Sequence, residues 1–113
     1  MEFTFVYSPG FVREWNHQRL TDDDLRALES ALARAPDSQP LIRGTGGLRK
    51  MRFSPPSWHT GKSGALRVGF AYFRGKSTIL VLAMFSKNES ANFTAAERKS
   101  IAAELQEAER NLK

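Results

Sequence analysis

The chain has 113 residues, of which 41% are hydrophobic and 26% charged, enough for one modest core and too apolar for wholesale disorder. It contains no cysteine, which excludes a disulfide framework and a thiolate metal site, and its longest apolar run, Ile79–Phe85, is far too short to span a bilayer. The net charge of +5 is unevenly spread: the 51 residues between Asp37 and Glu89 hold no carboxylate and nine cations, whereas the flanks carry eight Lys/Arg against twelve Asp/Glu, a centre of +9 against −4. Such a centre attracts phosphates and speeds encounter with polyanions.

In chain order, Phe3-Thr-Phe-Val-Tyr7 alternates as a strand does, and Ser8-Pro9-Gly10 stops it. Phe11 to Arg19 reads as a short helix carrying Phe11, Val12 and Trp15. Thr21-Asp-Asp-Asp24 starts a second helix as a capping box, and Leu25, Leu28 and Leu32 recur at helical spacing until Pro36. A loop, residues 36–47, leads to a basic strand, Leu48–Phe53, and then to an irregular stretch, Ser54 to Gly61. Ala65–Phe73 and Thr78–Ser86 read as strands joined by a turn at Arg74-Gly-Lys-Ser77. Thr94-Ala-Ala-Glu97 opens the last helix, whose Ile101, Leu105, Ala108 and Leu112 form an apolar stripe. The order β-α-α-β-β-β-α, without repeats or linker, predicts one α+β domain over residues 1–113, its helices packed on a small, mainly antiparallel sheet.

Alternate side chains of a strand share a face. Lys50 and Arg52 therefore project together, opposite Arg49, Met51 and Phe53. In the next strand Val68, Phe70 and Tyr72 make a core face; Arg67 lies on the reverse, where Gly69 and Ala71 should leave a shallow trough. The strand from Ile79 to Phe85 is apolar on both faces and should be central, with Lys87 just beyond its end. If the three strands pair in sequence order, Lys50, Arg52, Arg67 and Lys87 converge on one surface.

That set suits RNA cleavage by internal transesterification, which needs the ribose 2′-OH deprotonated, phosphate charge stabilised and the departing 5′ oxygen protonated. A lysine crowded by other cations gives up its proton more readily and suits the base; arginine stays charged and suits a bidentate phosphate clamp. His59 is the imidazole nearest this set, in the irregular stretch. Arg43-Gly-Thr-Gly-Gly47 is glycine-rich but lacks the Walker ending and reads as a tight approach into the basic strand. Two histidines 42 positions apart make no persuasive metal site, and the centre has no carboxylate to orient an imidazole in a Ser-His-Asp arrangement. No cofactor or metal is expected.

The segment Arg43-Gly-Thr-Gly-Gly-Leu-Arg-Lys-Met-Arg52, then Gly61-Lys-Ser-Gly64 and Leu66-Arg67-Val68, resembles the HigB branch of the RelE/ParE toxins. So does Ser86-Lys-Asn-Glu89 running into Phe93-Thr-Ala-Ala-Glu-Arg-Lys99. The resemblance spans roughly residues 40–100; the N-terminal third agrees in layout only. It implies the RelE-like microbial RNase fold and a metal-independent endoribonuclease that enters the ribosomal A site, cuts the mRNA there and stops translation. By position, Lys50 and Arg52 match the basic pair used on the scissile phosphate and its 2′-OH, Arg67 matches a phosphate-contacting arginine, and Lys87 completes the catalytic set. Arg49, Lys62, His59 and Phe85 are the expected RNA contacts. The resemblance also implies a cytoplasmic toxin silenced by a HigA-like helix-turn-helix antitoxin, with operator DNA reached only through that partner and no membrane involved. Phe85 stands where relatives commonly carry tyrosine, so it offers stacking but no phenolic proton; the stretch from Ser54 to Thr60 is longer than usual, and Gly69–Phe73 has fewer tyrosines. A non-enzymatic DNA gyrase poison of the ParE kind and an RNA-binding module without catalysis are the alternatives.

Overall fold

Ser8-Pro9-Gly10 both ends the first strand and begins a helix. Pro9 sits in the first helical turn, where its missing N–H costs nothing and its fixed φ suits the helix. Ser8 is the N-cap, its Oγ accepting from the Phe11 N–H at 3.1 Å. Helix α1 is therefore Pro9–His17, starting two residues before the expected Phe11. In the computed structural model residues 2–59, 66–85 and 92–112 are described.

Strand β1 is Thr4–Tyr7, and helix α2 is Asp22–Arg34, opened by the predicted capping box: the Thr21 Oγ1 accepts from the Asp24 N–H, and the Asp24 carboxylate from the Thr21 N–H. Strands β2 (Arg49–Phe53), β3 (Leu66–Phe73) and β4 (Thr78–Phe85) follow, then helix α3 (Ala95–Arg110) behind the second capping box, Thr94 with Glu97. The element order and the α+β class are those expected.

The sheet order is β1-β4-β3-β2. Strands β2, β3 and β4 pair antiparallel in sequence order, and β1 joins β4 in parallel, leaving β4 inside the sheet as its two-sided apolar pattern predicts. Each face is covered. On one, Phe11 and Trp15 of α1 and Leu28 and Leu32 of α2 pack on Met51, Phe53, Val68, Phe70, Ile79 and Val81. On the other, Leu105 of α3, with Ile101 and Ala108 beside it, packs on Ala71, Phe73, Leu80 and Phe85. A fully buried Leu or Phe is worth roughly 1.5–3 kcal/mol, so each helix is held mainly by its apolar stripe.

The glycine-rich segment is a tight hairpin-like approach to β2, as read. The Ile42 N–H donates to the Leu48 carbonyl at 2.8 Å and the Lys50 N–H to the Pro40 carbonyl at 3.0 Å. Buried Thr45 closes the turn, donating to the Ile42 carbonyl and accepting from the Leu48 N–H. Gly46, at φ +69°, lets the loop lie on α3, where a Cβ would come within 3.1 Å of the Ala102 methyl. The Arg98 guanidinium secures the contact through the Arg43 and Phe93 carbonyls.

Candidate nucleic-acid interface

The pairing of β2 with β3 sets the site. Arg52 is the direct cross-strand partner of Arg67, and Lys50 that of Gly69. On the far side of β3, Arg67 faces Phe85 and Gly69 faces Ala83. Two rows thus cross the sheet side by side, Arg52–Arg67–Phe85 and Lys50–Gly69–Ala83, both on the α3 side. Directly opposed residues have their Cβ atoms about 4.5–5.5 Å apart, and like charges placed so repel. Among the described residues neither Lys50 nor Arg52 has an ion-pair partner. Arginines so placed on one face of a sheet can in principle clamp a phosphate between them.

Arg49 and Arg74 are engaged elsewhere. Arg49 points to the opposite face and donates to the Gln39 carbonyl at 2.7 Å. Arg74 pairs with Asp37 at 2.6 Å and lies over the Tyr72 ring, 5.6 Å from its centroid. That pairing holds the Asp37 carboxyl below its ordinary range. Lys62 and Lys87 lie outside the described residues.

His59 is exposed and left-handed, at φ +50°, closing a 3-10 turn over Pro56–Trp58. This turn is anchored on α2 by Asp24, whose buried carboxylate accepts from the Ser57 N–H at 3.0 Å and the Ser57 hydroxyl at 2.6 Å. Burial works against the Asp24 charge, but the hydrogen bonds from Ser57 and Thr21 outweigh it and hold the carboxyl below its ordinary range. The His59 turn is thus fixed to the α2 side of the sheet, whereas Lys50 and Arg52 face the α3 side. The third aspartate of the capping box was legible as a helix start; its second task, holding a loop 33 residues away, had no sequence signal.

The shallow trough expected above Gly69 and Ala71 is filled. The Phe85 ring lies across Gly69, where a Cβ would meet its Cζ at 2.6 Å and Cε2 at 2.7 Å. Ala71 is buried beneath the α3 contacts. Phe85 itself is 7% exposed and meets Phe93 edge-on, their centroids 5.4 Å apart. It reaches this position because of an irregularity absent from the sequence reading: the register shifts between Gly69 and Phe70, so that Leu82 is an extra residue in β4. Leu82 and Ala83 consequently both lie on the α3 side. Such bulges re-aim side chains and leave a backbone group unpaired. Here the Ser8 hydroxyl donates to the Leu82 carbonyl at 2.5 Å, and the Ser8 N–H donates to the Val81 carbonyl at 3.0 Å. Beside the bulge, between the start of α1 and α3, lies a cleft of about 470 Å³ whose lining includes Leu82, Ala83, Phe85, Phe93 and Ile101 together with Arg13 and Glu104.

No family model matches the sequence. Among solved structures, the free E. coli toxin RelE, as a variant with two arginines replaced by alanine, matches 93% of this chain and 98% of its own, at a TM-score of 0.54 and 19% identity. The intact E. coli RelBE toxin–antitoxin complex matches 74% of this chain over 94% of its own, at a TM-score of 0.50 and 16% identity. This chain has the RelE fold. On that RelE-like sheet the opposed arginines occupy the β2–β3 pairing and Phe85 the neighbouring strand. Among the described residues, no helix is long and apolar enough to cross a membrane.

Proposed function

We propose that this chain is the toxin of a type II toxin–antitoxin pair of the HigB kind, acting over its whole length as one domain, and that it cuts mRNA in the ribosomal A site. The observation that carries this reading is the Arg52–Arg67 cross-strand pair beside Lys50 on a RelE-like sheet. What supports it is that Arg52, directly opposite Arg67, has no carboxylate partner among the described residues, an arrangement suited to a bound phosphate.

In the reaction, Lys50 accepts the 2′-OH proton and the 2′ oxygen attacks the scissile phosphorus. Arg52 and Arg67 hold the non-bridging oxygens as their charge grows. The bond to the 5′ oxygen breaks, that oxygen takes up a proton, and a 2′,3′-cyclic phosphate remains. Lys87 is the fourth cation of the proposed catalytic set. Arg49, Lys62, His59 and Phe85 belong to the wider proposed RNA contact, with Phe85 acting as a buried support for Arg67 and Arg49 reaching RNA only from the far face. The chemistry calls for no metal or cofactor. The proposed partners are a HigA-like helix-turn-helix antitoxin, in line with the RelBE assembly of similar fold, and the translating ribosome in the cytoplasm.

Toe-printing a defined mRNA in a reconstituted translation system tests the reading. New 3′ ends at A-site codons are expected with ribosomes and not on naked mRNA, and they should vanish with Arg67→Ala. Ribosome binding without cleavage would leave an RNA-binding module. Intact mRNA with normal translation would direct attention to a gyrase supercoiling assay.

A further inference from the structure

The cleft beside Phe85 has no part in the proposed phosphate chemistry, yet it lies at the end of both cross-strand rows. Phe85 ends the Arg52–Arg67 row and Ala83 ends the Lys50–Gly69 row, and both side chains line the cleft. Adjacent strands are about 4.8 Å apart, so the cleft begins one strand beyond Arg67. Its volume, about 470 Å³, is in the range of small-molecule sites, and its make-up is typical of them: apolar walls with a few convergent polar groups. The walls include Phe93, which is only partly buried. Arg13 comes from α1 and Glu104 from α3, each exposed, so the lining holds a donor from one helix and an acceptor from the other. The bulge that turns Leu82 and Ala83 to the same side, pinned by Ser8, shapes the wall between them.

We infer that this cleft is a nucleobase subsite: it takes an unstacked base of the RNA whose phosphate lies on Arg52 and Arg67. The inference rests on the proposed RNA reading and names a part of it. Single-stranded RNA is recognised by splaying bases out, stacking them on apolar and aromatic side chains and reading their edges. Glu104 accepts from an exocyclic amino group, and Arg13 donates to a ring carbonyl. Guanine and cytosine carry both groups; adenine lacks the carbonyl and uracil the amino group. The subsite therefore favours guanine and cytosine, and a cation row that is blind to sequence acquires a base preference through α1 and α3.

The test is an NMR titration of the full chain with GMP, CMP, AMP and UMP, using ribose 5-phosphate as the baseless control. GMP and CMP should move the methyl resonances of Leu82, Ala83 and Ile101 and bind at least about fivefold tighter than ribose 5-phosphate, the lower end of what stacking one base contributes. AMP and UMP should fall between. Ala83→Met fills the cleft and should return GMP to the level of ribose 5-phosphate, while exposed Glu104→Gln, which leaves the wall intact, should narrow the gap between GMP and UMP. If GMP binds no tighter than ribose 5-phosphate, leaves those methyls unmoved, or binds Ala83→Met as it binds the parent, the subsite is wrong. Cleavage on the ribosome with no base effect in this titration would sink the subsite and keep the nuclease. Base-selective binding without cleavage would do the reverse.

Discussion

Arg52 and Arg67 face each other directly across the β2–β3 pair, two like charges on one face of the sheet. Like charges so placed repel, and the proposed phosphate would offset that repulsion. Arg52→Ala should therefore raise the urea midpoint, by up to about 0.5 kcal/mol in stability, while removing cleavage. Arg67→Ala and Lys50→Ala should each abolish toxicity in a growth assay with the fold intact by circular dichroism. Full toxicity in both would mean that the phosphate is held elsewhere.

Gly69 is demanded by Phe85. A methyl at this position would stand 2.6 Å from the ring, and the ring, 7% exposed and in contact with Phe93, has little room to retreat. Gly69→Ala should cost about 1–3 kcal/mol by overpacking. Adding Phe85→Leu to it should recover part of that loss, seen as a non-additive double-mutant cycle in chemical denaturation.

Asp24 links the start of α2 to the turn at Ser57. Asp24→Ala should cost about 2 kcal/mol, because it removes a capping-box acceptor and strands the Ser57 donors. The folded-state carboxyl is held below its ordinary range, so its contribution is present in full above that range and is lost as the pH falls through the folded-state value. Stability measured from pH 6 downward should thus decline below about pH 4 in the parent. In Asp24→Asn that part of the decline should be missing; an unchanged acid limb would show that the carboxylate does not carry it.

Gly46 holds the glycine-rich loop against α3. At φ +69°, with Ala102 3.1 Å from a built Cβ, Gly46→Ala meets both backbone strain and a close contact. A loss of about 1–2 kcal/mol is expected, with faster amide exchange concentrated in α3 rather than in α2.

Much of this architecture was legible before any pairing was known. The two capping boxes at Thr21 and Thr94 are local motifs whose donors and acceptors lie three residues apart, so the chain alone specifies them. The leucine spacing of α2, the stripe of α3 and the alternation of β2 are likewise periodicities of one segment, and they assigned Lys50 and Arg52 to one face and Arg49 to the other. The carboxylate-free centre announced a cationic stretch, since charge is counted without knowing the fold.

What the tertiary structure decided depends on partners far apart in the chain. Register placed Arg67 opposite Arg52, because which residues face each other is set by pairing across strands rather than by either strand alone. The Leu82 bulge brings Phe85 over Gly69 and fills the trough expected from the small residues there; an inserted residue is recognisable only against a partner strand. Asp24 reached Ser57, and Arg74 was drawn away to Asp37, through contacts 33 and 37 residues apart. The sequence by itself determined the elements, their faces and the sign of the surface, because these follow from local periodicity and composition. Which cations meet, which are withdrawn and where a cleft remains came only from long-range packing, which no single segment encodes.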